Sequence, residues 1–153
     1  MAQTPKILLY RFLYVFARLY WKIFSPKSES AVCLIEFEGK ILLARNTYGD
    51  RKWIFPGGGC QNGEPAEISA HREVSEEVGI NLENLTSFGI YKNSSVNKNA
   101  LVHCFHAQTN NPTFQIDKTE IGEADWFEWE HLPQPLSIDT FRIIEMYKNF
   151  SKE

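Results

Sequence analysis

The sequence predicts an α/β fold in which a mixed β-sheet is sandwiched between helices. Three observations carry that prediction. Short apolar runs bounded by turn residues recur along the chain, a helix-spaced segment at 65–78 interrupts them, and a second such segment closes the C-terminus. At 153 residues the chain has the length of one ordinary domain. Its hydrophobic share of 43% and charged share of 23% are globular values that allow a packed core.

Charge divides the chain into a leader and a body. Residues 1–28 contain Lys6, Arg11, Arg18, Lys22 and Lys27 and no acid, a charge of +5; the whole chain is at −3, which leaves −8 on residues 29–153. From Ile7 to Phe24 the leader is mostly apolar and aromatic, and Arg11, Arg18 and Lys22 fall on one narrow helical face. An N-terminal amphipathic helix is therefore expected. Its uninterrupted apolar stretch is too short for a membrane span, and no small-residue cleavage site follows it. Two readings stand: a helix packed on its own domain or on a second copy in a homodimer, and an interfacial helix making peripheral membrane contact through residues 7–24 on anionic lipid. Ser25-Pro26-Lys27-Ser28 reads as a turn-like linker.

In the body, Ala31–Phe37 and Lys40–Ala44 flank Glu38-Gly39, which reads as a hairpin. Trp53–Phe55 reads as a short strand entering a loop at Pro56-Gly57-Gly58-Gly59. Pro65 suits the first position of the helix at 65–78, and Gly79 suits the residue just past its end. Thr86–Tyr91, Leu101–Gln108 and Asp125–Trp129 read as strands. Ser137 can cap a last helix to about Phe150, with Phe141, Ile144 and Tyr147 near one face. Cys33, Cys60 and Cys104 are scattered, with Cys33 and Cys104 in apolar runs. That is the usage of a cytoplasmic protein, not of a disulfide framework or a zinc site. His103 and His106 lack metal-pair spacing and read as structural.

The helix at 65–78 carries the chemistry. Glu73, Glu76 and Glu77 stand at i, i+3 and i+4, so their carboxylates share a face near the helix C-terminus. Like charges at this spacing repel, and negative charge at a helix C-terminus opposes the macrodipole. A hard divalent cation on that face would resolve both conflicts, since Mg²⁺ and Mn²⁺ prefer carboxylate oxygen. The plainer reading of a glutamate cluster alone is a solvated acidic face. Gly57-Gly58-Gly59 just upstream shifts the balance, because glycines let a backbone approach a ligand closely.

The full string Gly58–Ile80, GGCQNGEPAEISAHREVSEEVGI, is more specific than either feature. It resembles the Nudix hydrolase signature G-x5-E-x7-R-E-U-x-E-E-x-G-U, where U is a bulky apolar residue. Gly58, Glu64, Arg72, Glu73, Glu76, Glu77 and Gly79 occupy its fixed positions, and Val74 and Ile80 its apolar ones. With each fixed residue at roughly one in fifteen, a match at a given start has odds of about one in 10⁸. The chain departs from the family in having Pro65 after Glu64, Cys60 where an aliphatic residue is usual and Gln61 where an acid is common.

The resemblance implies the Nudix α/β/α sandwich over residues 29–153. It implies Mg²⁺-dependent, or Mn²⁺-dependent, hydrolysis of a diphosphate linkage in a nucleoside diphosphate derivative. Arg72, Glu73, Glu76 and Glu77 would be catalytic, and the three glutamates would hold metal with the Gly57 carbonyl. Arg72 would tie back to Glu64, leaving Glu64 and Gly79 as structural residues. Family members often add a carboxylate from a later loop, for which Glu120 and Glu123 are candidates. Which glutamate is the general base stays open.

Substrate contacts are expected from Arg45, Tyr48, Trp53, Gly58 and Gly59. An arginine can clamp phosphate and an aromatic ring can stack on a base. Core packing for Trp53 is the competing reading. A small-molecule nucleotide is the expected partner. The net negative charge offers no field for DNA, and the acidic body argues against extensive RNA contact. Two other classes compete with a hydrolase: a catalytically silent nucleotide sensor and a membrane-surface protein defined by its leader. The intact carboxylate face argues against the sensor.

Overall fold

The computed structural model describes residues 9, 12–14, 27–93 and 99–152. Leu9 and Phe12–Tyr14 are helical; the rest of the helix expected at 7–24 lies outside the described residues. Strands β1 (Lys27–Phe37) and β2 (Lys40–Asn46) form the expected hairpin. Its two loop residues, Glu38 and Gly39, both have positive φ, 48° and 76°, which suits the right-handed twist of the strands they join. There follow β3 (Gly57–Gly59), α1 (Ala66–Val78), β4 (Thr86–Asn93), β5 (Asn99–Gln108), β6 (Ile121–Glu128) and α2 (Ile138–Phe150).

The sheet order is β4-β5-β1-β2-β6, with β3 paired to the N-terminal part of β1. Strands β1 and β5 run parallel over their whole length, whereas the other ladders are antiparallel, so the sheet is mixed. Strand β1 is central and buried on both faces, and its side chains alternate between two cores. Ala31, Cys33 and Ile35 pack with Ala70, Val74 and Val78 of α1. Leu34 faces the other way and packs with Ile143 and Ile144 of α2. Helix, sheet and helix make three layers. Burial of valines such as Val74 and Val78 is worth about 1.5–3 kcal/mol each, enough to hold α1 against the sheet despite its acidic face. Burial also pushes the thiols of Cys33 and Cys104 up, the latter to about 12, as expected of inert core cysteines.

Four local expectations are corrected. The glycines at 57–59 are not a free loop but a strand, because β1 presents Ser30–Val32 as a pairing edge. Lys27 and Ser28 likewise belong to β1 rather than to a linker, opposite Asn99 and Ala100 of β5. Pro65 is the N-cap, with ψ 140°, and its carbonyl accepts the first helical bond from Ser69 N at 3.0 Å. In α2, Phe141 is exposed and the inward face is Thr140, Ile143 and Ile144. Thr140 fixes that rotation: its hydroxyl donates to the Trp53 carbonyl at 2.9 Å, and its amide donates to the Ser137 cap at 3.0 Å.

Candidate active site

Helix α1 meets β3 where β3 joins β1, and Glu73 and Glu77 of the helix reach the glycine strand at that corner. The buried face of α1 comprises Ser69, Ala70, Val74, Glu77 and Val78, so Glu77 projects inward with the core residues. It is only 6% exposed, and its Oε2 accepts a hydrogen bond from the Gly57 amide at 2.9 Å. One turn earlier, the Glu73 side chain is mostly buried, while Glu76 opens to solvent. The acidic face is thus graded from core to water. Gly79 ends the helix in the left-handed conformation (φ 67°), its amide donating to the Ser75 carbonyl at 3.1 Å.

The glycines of β3 make this approach possible. A Cβ on Gly57 would lie 2.2 Å from the Ala31 carbonyl oxygen, and its φ of 151° is rarely open to other residues. A Cβ on Gly58 would lie 2.4 Å from the Glu73 carboxyl group. Gly59 contributes through its carbonyl, which accepts from Arg72 Nη2 at 3.0 Å.

Arg72 is the hub. Its Nε and Nη2 donate to the two oxygens of Glu64 at 2.8 and 2.9 Å, a bidentate pair. Its Nη1 donates to Glu73 at 2.7 Å and to Glu76 at 3.3 Å. Glu64 also accepts from the Gln61 amide at 2.8 Å, so one guanidinium joins the 61–64 turn, β3 and the helix. The Arg72 guanidinium, followed by the Gln61 amide, holds the Glu64 carboxyl down at about 2. The network fixes Glu64 as an anion and ties Glu73 and Glu76 to the same guanidinium.

Glu77 has the opposite electrostatics. Burial, opposed by the Gly57 amide but reinforced by the charges of Glu73, Glu120 and Glu76, pushes it up to about 8. Glu73 is also raised, first by burial. Glu120 is therefore part of this negative field. It lies in the turn before β6, where its carbonyl accepts from the Thr47 amide at 2.8 Å. Glu123 is held elsewhere, in an ion pair with Arg45 across the β2–β6 ladder.

The expected substrate contacts separate in the same way. The Arg45 guanidinium lies 4.8 Å from the Trp53 ring centroid and is paired with Glu123. Trp53 is a core residue, 5% exposed and edge-on to Phe127 at 4.9 Å, so it has no open ring face for a base. That corrects its expected stacking role. Tyr48 remains at the site: burial, then the charges of Glu120 and Glu77, pushes its hydroxyl up to about 12. His103 and His106 bond Glu29 and Glu36 on β1, at 3.1 and 2.7 Å. Three participants had no sequence signal strong enough to be singled out. Ser69 accepts from Arg72, Thr47 binds the 119–120 turn, and Tyr14 stacks obliquely on Tyr48 at 5.3 Å. Only Ser69 could have been found, by its place one turn before Arg72 on the inward face.

Among the described residues, no three His, Cys, Asp or Glu side chains are already gathered as a metal cage. The donor chemistry nonetheless fits a hard divalent cation. Burial makes both Glu73 and Glu77 costly to ionise, Glu73 even beside the Arg72 guanidinium, and both are hard oxygen donors.

Comparison with known proteins decides the family. The NUDIX domain model matches residues 26–149. The chain belongs to the Nudix hydrolase family. The Bacillus subtilis protein YtkD, named as a candidate 8-oxo-dGTP diphosphatase, is 35% identical over 119 residues, covering 74% of this chain and 68% of that one. An RNA pyrophosphohydrolase of Aeromonas hydrophila is 34% identical over 70 residues, covering 46% of this chain and only 38% of that one. The crystal structure of a MutT Nudix hydrolase from Burkholderia pseudomallei superposes with a TM-score of 0.72 at 25% identity, over 79% of this chain and 98% of that one. The helix bearing Glu73, Glu76 and Glu77 is the Nudix helix of this chain.

Proposed function

We propose that this Nudix protein hydrolyses the diphosphate linkage of a small nucleoside triphosphate, with Mg²⁺ or Mn²⁺ held by Glu73, Glu76 and Glu77. Glu120 and the carbonyl of Gly57 complete the donor set. The observation that carries the reading is Glu77, a buried carboxylate that accepts from the Gly57 amide and lies in the field of Glu73, Glu120 and Glu76. A bound cation would neutralise charge on the diphosphate oxygens. Arg72 bridges Glu73 and Glu76 through one nitrogen and locks the 61–64 turn through Glu64. Gly58 lets the Glu73 carboxyl group lie against the strand, where a Cβ would sit 2.4 Å from it. One of the helix carboxylates takes a proton from a water whose oxygen bonds to one phosphorus as the bridging phosphorus–oxygen bond breaks. The bridging oxygen leaves with the other phosphoryl group, giving a nucleotide and phosphate or pyrophosphate. Tyr48, in the field of Glu120 and Glu77, would contact the substrate.

The triphosphate class is favoured over RNA because the YtkD similarity runs through 68% of that protein, whereas the RNA pyrophosphohydrolase similarity covers 38%. The acidic body agrees. The test is turnover of a panel with Mg²⁺ or Mn²⁺, wild type beside Glu77→Gln. The panel holds normal and oxidised nucleoside triphosphates, 5′-triphosphate RNA, nucleotide sugars, ADP-ribose and dinucleoside polyphosphates. Turnover of a nucleoside triphosphate that vanishes in the variant supports the proposal. Nucleotide binding without turnover of any compound refutes it in favour of a sensor.

A further inference from the structure

One exposed apolar cluster belongs neither to the core nor to the carboxylate site. Leu9, Phe12 and Leu13 are helical and lie at i, i+3 and i+4, which places them on one face. They are 56%, 59% and 53% exposed. Tyr14, in the same turn, faces the domain. Its ring lies 5.3 Å from that of Tyr48, and its hydroxyl abuts Gly49, where a Cβ would meet it at 3.4 Å. A single helical turn therefore grips the loop beside the carboxylates on one side and presents apolar surface on the other.

We propose that this apolar face seats on an anionic phospholipid bilayer. Charge complementarity selects that occupant. Residues 1–28 contain five basic side chains and no acidic one, and the basic groups are interspersed with seven aromatic residues, Trp21 and three tyrosines among them. An exposed apolar face in a sequence where Lys, Arg, Trp and Tyr alternate with apolar residues has the composition of a helix lying in the headgroup region. In the sequence Arg11, Arg18 and Lys22 interrupt the apolar stretch of residues 7–24, which is too short for a membrane span, so contact is at the surface. A second copy is a poorer partner. The other exposed large apolar side chains of the body, such as Ile68, Ile90 and Ile138, are spread over α1, β4 and α2. Since Tyr14 packs on the Tyr48–Gly49 loop, a seated helix holds the mouth of the site next to the lipid headgroups.

The test uses the full chain in co-sedimentation with vesicles of phosphatidylglycerol and phosphatidylcholine, and with phosphatidylcholine alone. Binding is expected to the mixed vesicles, to weaken with salt, and to be much poorer on the neutral ones. Leu9→Ser, Phe12→Ser and Leu13→Ser combined should lower it by ~10-fold or more, with the circular dichroism melt of the domain retained. Arg11→Glu with Arg18→Glu should do the same without touching the apolar face. No sedimentation with anionic vesicles overturns the proposal, as does equal binding by the triple variant. A wild-type dimer that the triple variant converts to monomer, with no vesicle binding by either, assigns the face to a second copy instead.

Discussion

In Glu77→Gln the buried carboxylate is exchanged for a neutral side chain of the same shape, which can still accept the Gly57 amide through its oxygen. Wild-type Glu77 is pushed from an ordinary 4.5 up to about 8 by burial and by Glu73, Glu120 and Glu76. The folded protein thus keeps a proton that the unfolded chain sheds. Stability contributed by the protonated form is present below pH 4.5 and declines as pH rises to about 8, then levels off. The full gap corresponds to at most about 5 kcal/mol, and water and counterions entering the cleft reduce it to about 2 kcal/mol. Glutamine cannot ionise. In a chelator at pH 8.5 the variant should therefore melt about 4–8 °C above wild type, and the two should converge toward pH 5. Added Mg²⁺ should raise the wild-type Tm and leave the variant almost unmoved. Scanning calorimetry or thermal fluorescence across pH 5–9, with and without metal, reads both effects. A variant less stable than wild type at pH 8.5 in chelator, or a stability difference that does not change with pH, would refute the electrostatic reasoning.

Other consequences are as direct. Gly57→Ala sets a methyl group 2.2 Å from a backbone oxygen, whereas Gly58→Ala meets the end of the Glu73 side chain, which can swing away. The first should lower stability by more than ~3 kcal/mol in urea titration; the second should fold normally and weaken Mg²⁺ in a metal titration. Arg72→Lys keeps the charge but cannot form the bidentate pair with Glu64 while also reaching the Gly59 carbonyl. Turnover should fall by more than ~10-fold with only a small loss in Tm, and undiminished turnover would remove Arg72 from the site. Glu36 is held below the ordinary carboxylate range, chiefly by its bond from His106 and also by those from Tyr147 and Trp129. The stability it adds is complete above the ordinary carboxylate range and is lost as pH falls through its lowered value. Glu36→Gln should flatten that acid limb in urea unfolding between pH 3 and 6.

Much of the site was legible because the chemistry is local. Glu73, Glu76 and Glu77 are close in sequence, and one helix brings them together. What a side chain does across the sheet was harder to read. Glu120 and Glu123 are three residues apart, but the start of β6 lies between them. The ladder register then gives Glu123 to Arg45 and leaves Glu120 facing the carboxylates. The glycines at 57–59 read as a loop because their strand partner, Ser30–Val32, is too far away in sequence to be seen from them. Trp53 could be a stacking platform or a core ring until Arg45 and Phe127 were placed on it. In α2 the apolar spacing offered Phe141, but the bond from Thr140 to Trp53 turns the helix to bury Ile143 and Ile144 instead.

The parallel pairing of β1 with β5 also governs when the site can be built. All residues of the glycine strand and the acidic helix have been made once Gly79 is synthesised. Strand β1, on which the glycine strand rests, receives its other neighbour only with residues 99–108. Joining segments so far apart in sequence is slow relative to closing the β1–β2 hairpin. On the ribosome, a chain that has exposed only its first eighty residues carries the three helix carboxylates on an unfinished wall and still lacks Glu120. Cation affinity should therefore appear late in synthesis, after β5 has closed the wall and the turn before β6 has brought in Glu120.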